Sequence, residues 1–488
     1  MIIVTIEVER QVKEAECLVA LLTKKLTVTL ELPGVLKEDE RLYKYGETTF
    51  FYYESEGQMR KSMLVGLDKG TAALSNEELR CCGGKLAHAL KTQQVAQAIC
   101  PLQAVGTINE GKENAFQSFF EGVLLGDYEY DRYKTKQKSL LVTTLVMTVF
   151  PSDLSMVKTA LDRAGVIVDS VKWARDLANA PGNDLLPLQM GKAALERFKN
   201  GVVEAELLKE DDLKREKMGG ILAVGQGSKN PSCMIILRYQ GNPATSEVLA
   251  LIGKGVTFDS GGLSLKPGEN MGAMKGDMAG GAVVLGALEA IARLELKCNV
   301  VALIPCAENM PSGNAFRPGD IVTAMDGTTI EIINTDAEGR LLLADAISYA
   351  QRLGATKIVD IATLTGACMV ALGKVAAGVV GNEPAWAERL LRAAETSGEK
   401  MWQFPCYEEY GEMIKSPIAD LKNTGGRWGG AITAGVFLKH FAKEIPWVHI
   451  DIAGLEMSDK QSAYCVKGAT GFGTRTLIQL VKDMECSC

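Results

Sequence analysis

Residues 248–266 have the sequence VLALIGKGVTFDSGGLSLK, in which an apolar run of strand length leads into Lys254, Asp259 and two glycines. A short apolar run of this kind is typical of a buried strand. In open α/β sheets, functional sites form at the carboxyl ends of strands, where loops expose polar groups. The stretch therefore predicts a strand of an α/β sheet with a site at its end.

From residue 182 onward, apolar runs alternate with helix-like stretches. Near-continuous apolar strands separated by helices predict a mixed, largely parallel sheet covered by helices on both faces. Asp326 and Gly327 form a hairpin-turn signal before residues 328–334. The predicted strands are residues 232–237, 248–256, 299–304 and 357–362, and the clearest predicted helices are residues 280–294 and 341–353.

The N-terminal part of the chain predicts a second α/β domain. It combines β-like runs with a helical pattern at residues 85–99, and it contains no cluster of catalytic residue types. We predict an N-terminal α/β domain at residues 1–150, a connecting helix at 151–178 and a catalytic domain at 179–488. The β-like runs are residues 1–8, 26–32 and 140–150.

Composition excludes several classes of protein. The chain has 488 residues, of which 47% are hydrophobic and 23% charged, values that exclude a wholly disordered, collagen-like or coiled-coil protein. Residues 140–150 form the longest apolar stretch, well short of the ~20 residues that span a bilayer. The first ten residues carry Glu7 and Glu9, which favours a strand over a signal peptide. We expect a soluble, cytoplasmic protein with no membrane partner.

Charge and cysteine usage agree with that expectation. The net charge is −7 and no long Lys/Arg run occurs, which argues against nucleic acid as the main partner, although local basic patches are compatible with it. Twelve cysteines are spread over the whole chain, many of them in apolar segments. We therefore predict reduced, buried thiols.

Two segments each place a charged residue beside an apolar element. Lys254 lies within or just beyond an apolar strand, so it needs a partner or must lose its proton. A simple alternative is a Lys254–Asp259 salt bridge that braces a turn. Asp277 stands at the entrance to a helix rich in small residues, where an acid is most often a helix cap.

The third segment, Asn334-Thr-Asp-Ala-Glu-Gly-Arg-Leu341, is the most informative. If it is extended, a period of two places Asp336, Glu338 and Arg340 on one face. Two carboxylates held together repel each other, and a divalent cation between them removes that repulsion. A charged loop is the alternative, although the apolar residues that follow place the motif at the rim of a core.

Four carboxylates from these segments suffice for two oxygen-rich metal sites, spaced ~3.5–4 Å apart as in hydrolytic two-metal centres. The chain has only three histidines and no H-E-x-x-H pair, so such a site is built mainly from carboxylates, with a neutral Lys254 as the candidate nitrogen ligand. Neither a G-x-S-x-G elbow nor a G-x-x-x-x-G-K-[ST] loop occurs. The four acids are Asp259, Asp277, Asp336 and Glu338.

At these residues the chain resembles the leucyl (cytosol) aminopeptidase family, whose signature is the run found at residues 334–341. The resemblance continues through residues 254–266, 308–320, 363–366 and 449–454, and it covers essentially all of residues 179–480. Over the first ~150 residues it depends only on position and a loose pattern. It implies two α/β domains joined by a helix and assembled as a homohexamer.

The resemblance also implies two divalent metal ions per subunit, Mn²⁺ or Zn²⁺. One metal would be held by Lys254, Asp259, Asp277 and Glu338, and the exchangeable one by Asp259, Asp336 and Glu338. The implied function is hydrolysis of the N-terminal residue, leucine-like preferred, from peptides with a free N-terminus, by metal-activated water.

Two further residues would serve the reaction directly. Lys266 would stabilise the developing oxyanion. Arg340 lacks an accessible neutral form and so cannot be the base; in the family it is thought to hold a bicarbonate ion that relays the proton. The residues implied in substrate binding are Met274, Asn334, Thr363, Gly366 and Ala453.

One residue departs from the family pattern. Two positions beyond Gly454 the family has a Met or an aromatic residue, whereas this chain has Glu456, followed by Met457. If Glu456 faces the pocket, the preference for leucine weakens, and if the loop presents Met457 the preference is retained. We expect the second arrangement.

Two other functions are compatible with these residues. The protein could act mainly in binding or regulation, because some bacterial relatives in the family also bind DNA, but the complete metal and catalytic set argues against this. Another metallohydrolase chemistry, such as dipeptide or Cys-Gly cleavage, would use the same centre.

Overall fold

The computed structural model describes residues 1–8, 15–23, 40–55, 57–70, 73–108, 111–136 and 142–485. The chain divides into two compact units. The first contains Met1–Asp169 and Ser458–Lys467, and the second contains Ser170–Met457 and the residues from Gly468 onward. Helix Leu154–Asn179 runs through the boundary at residues 169 and 170.

Within the described residues, the first unit is a six-stranded sheet with helices. Its strand order is β1-β6-β5-β2-β4-β3, and every neighbouring pair is parallel except the β3–β4 hairpin. The strands are β1 (Ile2–Val8), β2 (Cys17–Leu22), β3 (Thr48–Ser55), β4 (Gln58–Gly66), β5 (Gln97–Pro101) and β6 (Thr143–Val149). The helices are α1 (Asn76–Thr92), α2 (Gln103–Ile108), α3 (Lys112–Gly126) and α4 (Leu154–Asn179).

Two predicted elements of this unit, a helix and a strand, differ from the structure or lie outside the described residues. The helix predicted at residues 85–99 is wrong beyond Thr92, because residues 97–101 form a strand inside the sheet. Helix α1 begins earlier, at a capping box in which Ser75 and Glu78 each accept a backbone hydrogen bond from the other. The strand predicted at residues 26–32 lies outside the described residues.

The second unit contains the remaining elements. Its strands are β7 (Val203–Lys209), β8 (Cys233–Gln240), β9 (Leu249–Gly253), β10 (Gly255–Asp259), β11 (Asn299–Asn309), β12 (Ile321–Thr323), β13 (Thr329–Glu331), β14 (Lys357–Ala362), β15 (Ala377–Gly381), β16 (Met401–Gln403), β17 (Leu421–Lys422) and β18 (Trp447–Asp451), followed by β19 (Met457–Ser458) and β20 (Gly468–Ala469). Its helices are α5 (Pro187–Phe198), α6 (Glu210–Arg215), α7 (Gly219–Gly225), α8 (Ala279–Arg293), α9 (Gly339–Arg352), α10 (Gly366–Leu372), α11 (Pro384–Ser397), α12 (Glu409–Glu412), α13 (Gly430–Ala442) and α14 (Thr474–Glu485).

The main sheet of this unit has nine strands in the order β16-β15-β18-β14-β9-β11-β8-β7, with β10 beside β11. Its centre, from β18 to β11, is parallel, and antiparallel pairs flank the centre on both sides. All five residues of β9 are buried, and α8 and α9 both pack against this strand. The predicted mixed, largely parallel α/β sheet is therefore confirmed, as are the helices expected at 280–294 and 341–353.

The hairpin turn predicted at Asp326 and Gly327 is confirmed. Strands β12 and β13 pair antiparallel around Asp326 and Gly327, which has a φ of 96°. The ten cysteines within the described ranges are free thiols and most are buried. No helix among the described residues is long and apolar enough to cross a membrane.

Candidate metal centre and active site

The predicted site residues lie at the carboxyl edge of the central strands. Asp259 is the last residue of β10, and Lys254 lies between β9 and β10. Asp277 follows a 3₁₀ turn at Met271–Gly276, just before α8. Glu338 is the N-cap of α9, and Asp336 lies in the turn before it. The segment is therefore a turn entering a helix, and the extended conformation considered for it is wrong.

The turn nevertheless brings carboxylates from distant segments together. Asp259, Asp336 and Glu338 each offer an oxygen within 4.8 Å of the others. Asp259 and Glu338 are buried, and the Asp336 side chain is 33% exposed. Burial raises the pKa of Asp259 and of Asp336, and the neighbouring carboxylates raise both further. A cluster of this charge at this depth is stabilised by cations.

Two lysines lie among these acids. Lys254 Nζ is 2.8 Å from Asp277 and 2.7 Å from Glu338, and Lys266 Nζ is 2.8 Å from Asp259 Oδ2 and 2.5 Å from Asp336 Oδ1. The alternative interpretation, a salt bridge between Lys254 and Asp259 that braces a turn, is wrong, because Lys254 pairs with Asp277 and Glu338. Burial lowers the pKa of Lys254, but Asp277 and Glu338 outweigh that effect and raise it above its ordinary value.

The donor set fits divalent cations. Two ammonium groups face four carboxyl groups, so the cluster has more acidic than basic groups even though Asp277 Oδ2, Glu338 Oε1 and Asp336 Oδ1 lie 2.8, 2.7 and 2.5 Å from a lysine Nζ. Buried charges of this kind are paired or coordinate metals in proteins. Carboxylate oxygens and one amine nitrogen form a ligand set that suits manganese or zinc.

Neighbouring polar groups fix the carboxylates. Asn309 Nδ2 and the backbone N–H of Gly261 each donate to Asp259 Oδ1 at 2.8 Å, and the Thr363 hydroxyl donates to Asp277 Oδ1 at 2.7 Å. Such outer partners orient metal ligands. Asn309 was not predicted from the sequence as a site residue, although it ends β11 directly beside Asp259 in the sheet register.

Arg340 is a buried cation on the same cavity. Its side chain is 6% exposed, and its Nε and Nη1 have no hydrogen-bond partner in the described part of the chain. Burial lowers the pKa of Arg340 to about 10, so it remains charged at neutral pH. Two unpaired nitrogens on a desolvated guanidinium are costly, and they provide donors for a small anion.

The four acids, the two lysines and Arg340 line one cavity of about 420 Å³. Leu364, Met369 and Glu456 also line this cavity, together with the residues that the resemblance implied in substrate binding. The implied residues that line it are Met274, Asn334, Thr363, Gly366 and Ala453.

The expectation that Met457 faces the cavity is wrong. Glu456 lines the cavity, and its Oε2 accepts a hydrogen bond from the Gly454 N–H at 2.7 Å. The Met457 methyl group packs at Gly276, where an added Cβ would lie 2.9 Å from it.

A buried acidic cluster with two lysines, placed at the strand ends of an α/β sheet and open to a substrate-sized cavity, defines a metal-dependent hydrolase. Comparison with known proteins supplies the family. The model described as the cytosol aminopeptidase family, catalytic domain, matches residues 172–478, and that family's N-terminal domain matches residues 12–137. The chain belongs to the cytosol aminopeptidase family and is a metallo-aminopeptidase, as the resemblance implied.

Individual relatives agree over most of the chain. The probable cytosol aminopeptidase of Alkaliphilus metalliredigens is 43% identical over 467 residues, covering 94% of this chain and 93% of that protein. That of Solibacter usitatus is 50% identical over 368 residues, covering 75% and 76%. Among solved structures, the bottromycin maturation enzyme BotP has a TM-score of 0.87 at 30% identity, covering 97% of this chain and all of that one, and its complex with Mn has a TM-score of 0.88 at the same identity and coverage.

Proposed function

We propose that this protein is a two-metal aminopeptidase that releases the N-terminal residue of peptides. The observation that carries the proposal is the convergence of Asp259, Asp336 and Glu338 within 4.8 Å of one another, beside Asp277 and Lys254. Two bound divalent cations would supply Lewis-acid polarisation of the peptide carbonyl and an activated water.

The ligands divide between the two ions. One ion would be held by Lys254, Asp259, Asp277 and Glu338, and the other by Asp259, Asp336 and Glu338. Lys254 would bind as the neutral amine, because a cation among the same carboxylates displaces its proton. The complex of BotP with Mn supports manganese, and zinc suits the same donors.

The chain's own groups position the substrate. Asp277 would accept hydrogen bonds from the α-amine, and the Lys266 ammonium would stabilise negative charge that develops on the carbonyl oxygen. Burial lowers the pKa of Lys266, but Asp259 and Glu338 raise it above its ordinary value, so Lys266 stays charged. Arg340 would hold a bicarbonate ion, whose chemistry when bound is to accept and pass on a proton.

The proposal includes an assembly and a location. We propose a homohexamer that acts on free-N-terminus peptides in the cytoplasm, with Met274, Asn334, Thr363, Gly366 and Ala453 contacting the substrate. The name of the relatives, cytosol aminopeptidase, supports the location.

The metal centre is tested by the Asp336→Asn variant. The neutral amide weakens one metal site, so we expect kcat/KM for an aminoacyl chromogenic amide to fall at least ~100-fold and the bound metal per subunit to decrease. Metal content is measured by plasma mass spectrometry after loading with Mn²⁺. Asp211→Asn is the matched control, because the Asp211 side chain is 95% exposed.

Two results would contradict the proposal. One is an Asp336→Asn variant with full activity and full metal content. The other is wild-type protein that binds Mn²⁺ or Zn²⁺ but cleaves no aminoacyl amide, which would favour the binding or regulatory function.

A further inference from the structure

We propose that Glu456 makes this enzyme select N-terminal residues with a cationic side chain, lysine and arginine. The inference rests on the proposed aminopeptidase function and names its substrate class. The inference follows from the position of the Glu456 carboxyl group. The neighbouring side chains in this part of the cavity wall are either apolar or already hydrogen-bonded to other residues.

Glu456 is held in that wall by its surroundings. Its Oε2 accepts from the Gly454 N–H, and Gly454 has a φ of 89°, which turns the chain back on itself. Thr470 donates its hydroxyl to the Leu455 carbonyl at 2.6 Å and its backbone N–H to the Glu456 carbonyl at 3.0 Å. Hydrogen bonds therefore fix both the carboxyl group and the backbone of Glu456.

The carboxyl group lies where a substrate side chain would enter. An added Cβ at Gly276 would be 3.7 Å from Glu456 Cγ, and Gly276 directly precedes Asp277, the proposed contact for the α-amine. On the other side, Met369 packs against Gly454, where an added Cβ would be 2.9 Å from its Cγ. A substrate residue whose α-amine is bound at Asp277 would thus extend its side chain along Met369 towards Glu456.

Among the described residues that line this wall, no other side chain donates a hydrogen bond to the carboxylate. Met274, Met369 and Ala453 carry no strong donor. Two threonines also line the cavity, but Thr363 donates its hydroxyl to Asp277 and Thr365 donates its hydroxyl to Asp451.

A carboxylate has about four acceptor sites, and the backbone N–H groups of Gly454 and of Glu456 itself satisfy two of them. A leucine side chain would cover the remaining sites without a hydrogen bond, which is unfavourable for a buried charge. A lysine side chain would lay its four methylene groups on the methionines and donate a charge-assisted hydrogen bond at its end. Burial raises the pKa of Glu456, and its backbone hydrogen bonds and Lys374 act in the opposite direction.

The test compares lysyl, arginyl, leucyl and methionyl coumarin amides on the Mn²⁺-loaded full chain. We expect wild-type kcat/KM to be higher for the two basic substrates, and Glu456→Met to lower the lysyl-to-leucyl ratio about tenfold or more. Glu456→Gln, which keeps the shape and removes the charge, should lower the ratio in the same direction. Glu395→Gln, on an exposed face of α11, changes net charge equally and should leave the ratio unchanged.

The outcomes separate this inference from the proposed function. A wild-type preference for leucine that Glu456→Met alters by less than twofold overturns the inference while the aminopeptidase function stands. If wild type cleaves none of the amides, the proposed function fails, and the inference is then decided by calorimetric binding of the lysine and leucine phosphonate analogues. Equal affinity of the two analogues for wild type and for Glu456→Met also overturns it.

Discussion

His449 forms a buried ion pair that is separate from the proposed metal ligands. It is 1% exposed on β18, and its Nδ1 is 2.5 Å from Oδ1 of Asp360 on the adjacent strand β14. The Trp447 indole donates to the other oxygen of Asp360 at 2.6 Å. Burial by itself lowers the pKa of His449, but Asp360 outweighs burial and places the pKa above its ordinary value.

This pair gives stability a defined pH dependence. The pKa of His449 is higher in the folded state than in the unfolded state. Its contribution to the free energy of unfolding is therefore fully present below the unfolded-state pKa of about 6.5, and it is lost as the pH rises through the folded-state pKa. We expect His449→Gln to lower the free energy of unfolding by roughly 3 kcal/mol near pH 6 and by progressively less at higher pH. Urea unfolding at several pH values measures the difference.

The control for this measurement is His440→Gln, since His440 is exposed near the end of α13. A difference between wild type and His449→Gln that does not change with pH would show that His449 acts only through packing.

At the residue scale, the sequence predicted the acids and lysines of the site because their types and spacing are unusual. It could not predict which side chain of the Glu456–Met457 pair enters the cavity. That choice depends on the left-handed turn at Gly454 and on hydrogen bonds from Thr470, which are fixed only in the folded chain. Asn309 was missed because a single amide in an apolar strand carries no signal of its own.

At the scale of elements, close packing of α8 on the sheet positions Asp277. An added Cβ at Gly280 would lie 2.1 Å from the Ile361 carbonyl oxygen, and one at Gly253 would lie 2.5 Å from the Gly280 carbonyl oxygen. The backbones of α8 and of its neighbouring strands are therefore nearly in contact at Gly280, three residues after Asp277. The small residues seen in the sequence are what allow this approach.

We expect Gly280→Ala to destabilise the protein, because the methyl group forces α8 away from β14. Overpacking of this kind costs about 1–3 kcal/mol. The thermal unfolding midpoint should decrease, and kcat/KM should decrease with it, since Asp277 moves with the helix.

The matched control is Gly411→Ala, a helical glycine with no atom within 4 Å of an added Cβ. An unchanged midpoint and activity for Gly280→Ala would mean that the helix and strand can separate at no cost, contrary to the packing described.

Element boundaries were predictable where the sequence contains a stop signal. The end of α1 was missed because Gln94, a residue that rarely marks a helix end, adopts a φ of 51° just beyond the helix. No glycine or proline stands between Thr92 and β5 to indicate the change. The helices α8 and α9 were predicted well because their periodicity and flanking residues agree.

At the scale of the whole molecule, the chain crosses between its two units three times. The crossings follow Asp169, Met457 and Lys467, so the return segment, Ser458–Lys467, belongs to the first unit. Tyr464 of this segment donates to Glu77 of α1 at 2.8 Å, and an added Cβ at Gly84 would lie 2.4 Å from the Tyr464 backbone N. The sequence predicted two α/β domains but not this exchange, because the contact joins residues 387 positions apart.

A fragment from Ser170 to the C-terminus should therefore be cut readily in the return segment. Tyr464 is 7% exposed in the full chain, and α1, which covers it, is missing from the fragment. We expect chymotrypsin to cleave after Tyr464 faster in the fragment than in the full chain, as measured by mass spectrometry over time. Cleavage after Tyr407, which is 66% exposed within the second unit, is the internal control. Equal rates at Tyr464 in both proteins would contradict this role of α1.

The return segment also constrains how the protein is made. During synthesis the N-terminal domain of a chain generally folds first, as it leaves the ribosome. Here α1 emerges before its partner Tyr464, which lies 387 positions after Glu77 of that helix. The first unit can thus acquire its full set of contacts only after Ser458–Lys467 has been released, and until then the surface of α1 around Gly84 is accessible to chaperones.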